Sequence, residues 1–267
     1  MKLTDLDPQW LIKEHFFGIY KTDPITGKVY LVDPQDSTNR FPEEVLQRAI
    51  DSAIDRLEGH LNAKIRPVMQ IEELQDFDKD LFNDYIYIRL RQYPLATIHS
   101  LQIVYGENGE TVWDIPQDII QRKIDDFGII QVLPWRGVAV GEQFDPALVP
   151  FITGTVAAHY APNVLKIVYD AGMSGDLDWD ILRAIGLLAS MHPFNILGDV
   201  VIGAGIASIS TSFDGISQSV NTTASAENSA YSSRIIQYRK ELYGEQNTPG
   251  LINTLQAKWR RMPLGRL

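Results

Sequence analysis

The chain has 267 residues, 45% of them hydrophobic and 22% charged, with a formal net charge of -10 and no cysteine. That composition is that of a globular protein with a core, and it excludes disulfides, thiolate metal sites and a cysteine nucleophile. The acidic balance argues against a protein that grips nucleic acid, because phosphate binding rests on Lys and Arg. The segment Met1 to Pro8 is acidic and lacks an apolar run, so no signal peptide is expected there, and no stretch approaches about 18 uninterrupted apolar residues.

Residues 1–40 mix Trp10, Phe16, Phe17, Tyr20 and Tyr30 with the turn pairs Asp23-Pro24, Thr26-Gly27 and Asp33-Pro34. They read as an N-terminal arm with a short hairpin around Thr26-Gly27. A strong helix follows. Pro42 suits its first position, and Glu43 and Glu44 fall in the first turn, where the helix dipole favours anions. Val45, Leu46, Ala49, Ile50, Ala53, Ile54, Leu57 and Leu61 recur at helical spacing, and Arg66-Pro67 forbids continuation.

From residue 68 the period changes. Tyr85 to Leu90 alternates as a strand. Ile98 to Tyr105 and Thr111 to Ile115 read as a hairpin around Gly106-Glu107-Asn108-Gly109, and Ile119–Ile124 with Ile129–Leu133 as a second pair. Phe151 to Tyr160 is a further expected strand, and Leu165 to Tyr169 closes the region. A second helix starts near Asp178, with Trp179, Leu182, Ile185, Leu188 and Ala189 as its buried stripe, and His192-Pro193 is expected to end it. A third runs from about Ser225 to Tyr243, with Tyr231, Ile235, Tyr238 and Leu242 on one face.

Between these helices lies a long loop, 196–224, whose centre, Ile202 to Val220, is poor in charge and rich in Gly and Ser. Unstructured connections longer than about 12–15 residues are usually functional or disordered. Its alternation of small polar residues with Ile and Val lets it pair as strands once covered. Gly203, Gly205, Ile206, Ile209, Phe213, Asp214, Gly215 and Ile216 are its candidates for a contact with a neighbouring copy of the chain. After Glu245 the chain has no acidic residue. The segment 248–267 therefore reads as a basic tail on an acidic body, with Lys258, Trp259, Arg260, Arg261, Arg266 and Leu267 as docking residues and Trp259 as an aromatic anchor.

The expected fold is α+β. A helical core of three or more helices (41–67 and 173–247) carries a β-rich insertion (68–172), the arm 1–40, the long loop 196–224 and the tail 248–267.

The search for chemistry returns little. His15, His60, His99, His159 and His192 include no helical metal pair. Asp76 to Asp80 begins like a calcium loop, but Leu81 and Tyr87 stand where glycine and a bidentate Glu belong. Gly203 to Ser208 hints at a dinucleotide fingerprint but lacks a helical period after it. Gly215 to Ser219 lacks the second glycine of a nucleophile elbow. No catalytic, cofactor-binding or metal-ligating residue is expected, and the chain is not read as an enzyme.

Six segments taken in order resemble the head-to-tail connector adaptors of tailed bacteriophages. They are Ala49 to Glu58, Tyr93 to Leu101, Ile167 to Gly172, Gly203 to Ser208, Phe213 to Ser219 and Tyr231 to Tyr238, together spanning roughly residues 45–240. The resemblance implies a virion protein of the neck, made in the host cytoplasm and assembled as a dodecameric ring. Its C-terminal segment would dock on the portal, its lower face would receive a stopper or tail-completion protein, and its lumen would pass the genome without specific binding. Excess negative charge agrees with that role, since it repels DNA phosphates. Two alternatives stand beside it: another neck protein, stopper or terminator, and a β-rich module binding carbohydrate or a host surface.

Overall fold

The computed structural model describes residues 1–32, 40–78, 86–105, 110–117, 120–124, 127–132, 160–202, 208–213, 216–221, 231–246 and 248–259. The fold is α+β, and the chain divides into two compact units. The first holds the described residues of Met1–Asn62 and Gly175–Arg260, and the second those of Ala63–Ser174.

The first unit is built on helices. Helix α1 (Pro8–His15) is capped by Asp7, whose carboxylate accepts from the Trp10 amide at 2.8 Å, with Pro8 at the first helical position. It buries Leu11 and Ile12 completely. The short strands β1 (Tyr20–Thr22) and β2 (Val29–Leu31) form the hairpin expected around Thr26-Gly27. Asp23 closes its turn by accepting from the amides of Ile25 and Thr26, which holds its carboxyl below the usual carboxylate range. The expected arm is therefore folded through residue 32, as part of the first unit.

Helix α2 (Glu43–Leu61) has Pro42 as its N-cap and ends on Asn62 in the left-handed conformation, φ 52°. Leu46, Ala49, Ile50, Ala53, Ile54, Leu57 and Leu61 are buried, and Val45 at the edge of the stripe is half-buried. Helix α3 (Trp179–Ile202) packs along α2 as the central helix of the unit. It runs through Pro193 for nine further residues, against the expectation that His192-Pro193 ends it. A helical proline costs a hydrogen bond and strains the preceding turn, roughly 3 kcal/mol. The burial of Phe194 and Leu197 just beyond it offsets that cost, since both are at most 1% exposed. Phe194 stacks on Phe16 with ring centroids 4.3 Å apart and meets Tyr231 and Tyr238 at 5.4 and 6.0 Å. By length and composition α3 would cross a bilayer, but 72% of its apolar window is buried inside the unit, as in a core helix.

Two strands, β10 (Ser208–Phe213) and β11 (Ile216–Asn221), form an antiparallel ribbon where the long loop was expected. Helix α4 (Ser232–Tyr243) buries Ile235 and Leu242, and the expected start of that helix, 225–230, lies outside the described residues. The two-residue strands β12 (Gly244–Glu245) and β13 (Thr248–Pro249) turn the chain into helix α5 (Leu251–Trp259).

The second unit is a pair of antiparallel sheets. Strands β3 (Val68–Asp78), β5 (Leu95–Tyr105), β6 (Glu110–Asp114) and β9 (Tyr160–Ala171) lie in the order β3-β9-β5-β6. Strands β4 (Ile86–Arg89), β7 (Ile120–Ile124) and β8 (Ile129–Val132) lie in the order β4-β8-β7. The two expected hairpins are β5–β6 and β7–β8. The long edge strand β3 has no counterpart in the sequence reading, and the expected strand 151–160 lies outside the described residues except at Tyr160. Ile88, Leu90, Leu101, Ile103, Ile130, Ile167 and Tyr169 are among the residues that fill the core. Gly172 ends β9 where a Cβ would stand 2.6 Å from the Arg66 carbonyl oxygen, at φ +127°, so only glycine fits there.

Candidate interaction surfaces

The ribbon β10–β11 is the first surface the sequence singled out. Its register pairs Ile209 with Val220, Thr211 with Gln218 and Phe213 with Ile216. Between them come Ser208 with Asn221, Ser210 with Ser219 and Ser212 with Ser217. Along the strands Ile209, Phe213, Ile216 and Val220 thus hold register positions of one parity and the serines those of the other. No register shift interrupts the pairing, and the twelve strand residues include no charge and no proline. Among the candidates, Ile209 and Phe213 lie on β10 and Ile216 on β11, while Gly203, Gly205, Ile206, Asp214 and Gly215 lie outside the described residues.

The second surface is corrected by the structure. Lys258 and Trp259 do not belong to a free tail: they end α5, whose Ile252, Leu255 and Trp259 face inward. Trp259 is 9% exposed, and its indole N–H has no acceptor among the described residues. Lys258 pairs with the Asp178 carboxylate at the start of α3, and the Gln256 amide donates to the His60 carbonyl at 2.9 Å. The helix thus folds back on α2, α3 and α4. The i, i+3, i+7 spacing of Ile252, Leu255 and Trp259 is a helical period that the cations of this segment mask. Arg260, Arg261, Arg266 and Leu267 lie outside the described residues.

Three polar arrangements escaped the sequence reading. In the second unit, the buried Glu73 carboxylate accepts from the Tyr169 hydroxyl at 2.7 Å, the Arg91 backbone N–H at 3.0 Å and the Gln75 side-chain Nε2 at 2.6 Å. The Tyr169 oxygen in turn accepts from the Gln92 amide at 3.1 Å, so β3 and β9 together fix the segment before the cis Tyr93-Pro94 bond. Asp170 accepts from the Gln70 amide at 2.7 Å and from His99 Nε2 at 2.8 Å. The Gln70 bond first, then the His99 bond, hold its carboxyl below the usual range. This pair orients an imidazole, but no group of three or more His, Cys, Asp or Glu able to hold a metal occurs among the described residues.

In the first unit His15 lies between α1, α3 and α4, edge-on to Trp10 and Tyr238 at 6.1 Å each. Burial pushes its pKa down to about 4, with the nearby Arg183 acting in the same direction and Glu241 opposing. Arg183 and Glu241 pair with each other, joining α3 to α4. None of these sites had a local sequence signal, because each joins residues far apart in the chain.

No family model matches the chain, and no curated protein sequence matches it.

Proposed function

We propose that the chain is a structural head-to-tail adaptor of a tailed phage. It forms a ring, dodecameric by resemblance, between the portal and the stopper or tail-completion protein, and lines the channel through which the genome leaves. It acts in the virion neck without turnover of a substrate and without a cofactor. The observation that carries this reading is the uncharged β10–β11 ribbon on a body of net charge -10. Copies of so acidic a chain repel one another, and an uncharged segment is where they approach at least cost. The same acidity keeps DNA moving through a lumen rather than bound to its wall.

Electron microscopy of the full chain mixed with its portal tests the proposal, with a ring of chain copies on the portal as the expected result. A ring that meets only tail proteins would reassign the chain to a stopper or terminator. A chain that stays monomeric with the portal and instead binds glycans would replace the adaptor by a host-surface module. Removal of residues 260–267 takes away Arg260, Arg261, Arg266 and Leu267 while sparing α5, and is expected to abolish portal attachment with helical content unchanged.

A further inference from the structure

Free sheet edges invite other strands, and proteins ordinarily blunt them with charge, proline, bulges or shortness. Every other sheet edge among the described residues is blunted in this way. Strand β3 carries Glu72 and Asp76 and two register shifts, and β6 carries Glu110 and Asp114 and one. Strand β7 carries Arg122, Lys123 and a register shift, and β4 has four residues ending in Arg89. The β1–β2 hairpin has three residues a side with Lys21, and β12–β13 two a side with Glu245 and Pro249. The β10–β11 ribbon has six a side with no charge, no proline and no shift, and pairs with no third strand among the described residues. An isolated two-stranded ribbon is marginally stable. Its composition is that of a strand pair meant to be extended.

We infer that the ribbon is an edge-to-edge assembly element, whose occupant on each side is the same ribbon of another copy of this chain. The β11 edge of one copy pairs with the β10 edge of the next. Because β10 and β11 run antiparallel, identical ribbons placed side by side in one orientation keep every junction antiparallel. Each copy therefore offers one edge of each kind, a heterologous contact that closes by rotation. Closure removes all edges. A second copy fits better than a foreign partner because the ribbon has no charge to select one, and its two edges already match each other in direction. The inference rests on the ring-forming reading and specifies the contact that builds the ring.

The absence of native cysteine permits a direct test. Full-length Ser210→Cys chains, with the thiol on β10, are mixed in turn with Ser217→Cys, Ser219→Cys and Asn221→Cys chains, with the thiol on β11. The mixtures are oxidised as concentrated protein and again as portal-bound particles. The expected result is a disulfide-linked pair in at least one mixture and none in any single variant, since β10 edges meet only β11 edges. Cross-linking of Ser210→Cys chains with themselves would overturn the inference in favour of a two-fold contact. Rings that form without a cross-link in any mixture would overturn it while leaving the adaptor reading intact. The absence of rings on the portal as well would remove both. A Ser210→Lys, Ser219→Lys variant places like charges at each junction and is expected to lose assembly at least about tenfold. Its helical unfolding midpoint should stay at the wild-type value, and assembly undiminished in this variant would count against edge pairing.

Discussion

The imidazole of His15 lies so close over Gly186 that a Cβ there would stand 2.0 Å from Nε2. The His15 ring can occupy this space against α3 only because residue 186 has no side chain. Gly186→Ala is expected to displace the His15 ring from its site and cost about 2 kcal/mol, by overpacking. Denaturant unfolding followed by helical circular dichroism checks the loss. Pairing it with His15→Ala should recover part of it, because the two substitutions share one space.

The same histidine makes stability depend on pH. Its folded pKa of about 4 lies below the ordinary 6.5, so the fold holds the neutral ring. The unfolded chain takes up the proton first. Stability is therefore complete above pH 6.5, declines as the pH falls toward 4 and levels off below it, for this group on the order of 3 kcal/mol. Asp23, Asp170 and Asp176, whose carboxyls are held low, lose their contributions at lower pH still. The difference in unfolding free energy between wild type and His15→Gln, measured from pH 7.5 to 4, isolates the histidine. An equal slope in both proteins would sink the assignment.

Tyr169→Phe removes the hydroxyl that donates to Glu73 and accepts from the Gln92 amide. The buried Glu73 carboxylate and the half-buried Gln92 amide each lose a bond, so a loss of roughly 1–3 kcal/mol is expected in the second unit. Amide exchange of Gln92 should speed up while exchange along α2 stays at the wild-type rate.

Trp259 separates the two views of the C-terminal region. An exposed docking anchor could be truncated without cost to the free protein. Buried as it is, Trp259→Ala is expected to cost about 3 kcal/mol and to loosen α5. Trp259→Phe keeps one aromatic ring in place of the larger indole and removes the N–H that lacks an acceptor, so its loss should be smaller than that of Trp259→Ala. Thermal melts of the two variants beside wild type decide this. By the same argument, deletion from residue 249 onward would remove a folded helix, which makes 260–267 the segment to delete in a docking test.

Local periodicity made much of this architecture readable. The stripe of α2, the turn at Asp23 and the hairpins β5–β6 and β7–β8 depend on neighbours a few residues apart, and the sequence carries those spacings directly. Helix α3 misled because a proline forbids continuation locally, while Phe194 and Leu197 find partners only in the tertiary fold. Strand β3 was missed because its charged positions mask the alternation, and its burial of Glu73 depends on Tyr169, 96 residues away.

The ribbon shows where the boundary falls. Its lack of charge and its alternation of serine with large apolar residues are properties of the sequence alone, and they marked 202–220 as a segment with a role beyond a connection. The register that sets Ile209 opposite Val220 and Phe213 opposite Ile216 was decided by the pairing of β10 with β11, because a slip of one residue would have set small or polar residues opposite them. The docking residues divide in the same way. Cations after Glu245 are legible in the sequence, but only packing against α2, α3 and α4 takes Trp259 out of solvent, since burial depends on distant elements that a local pattern does not contain.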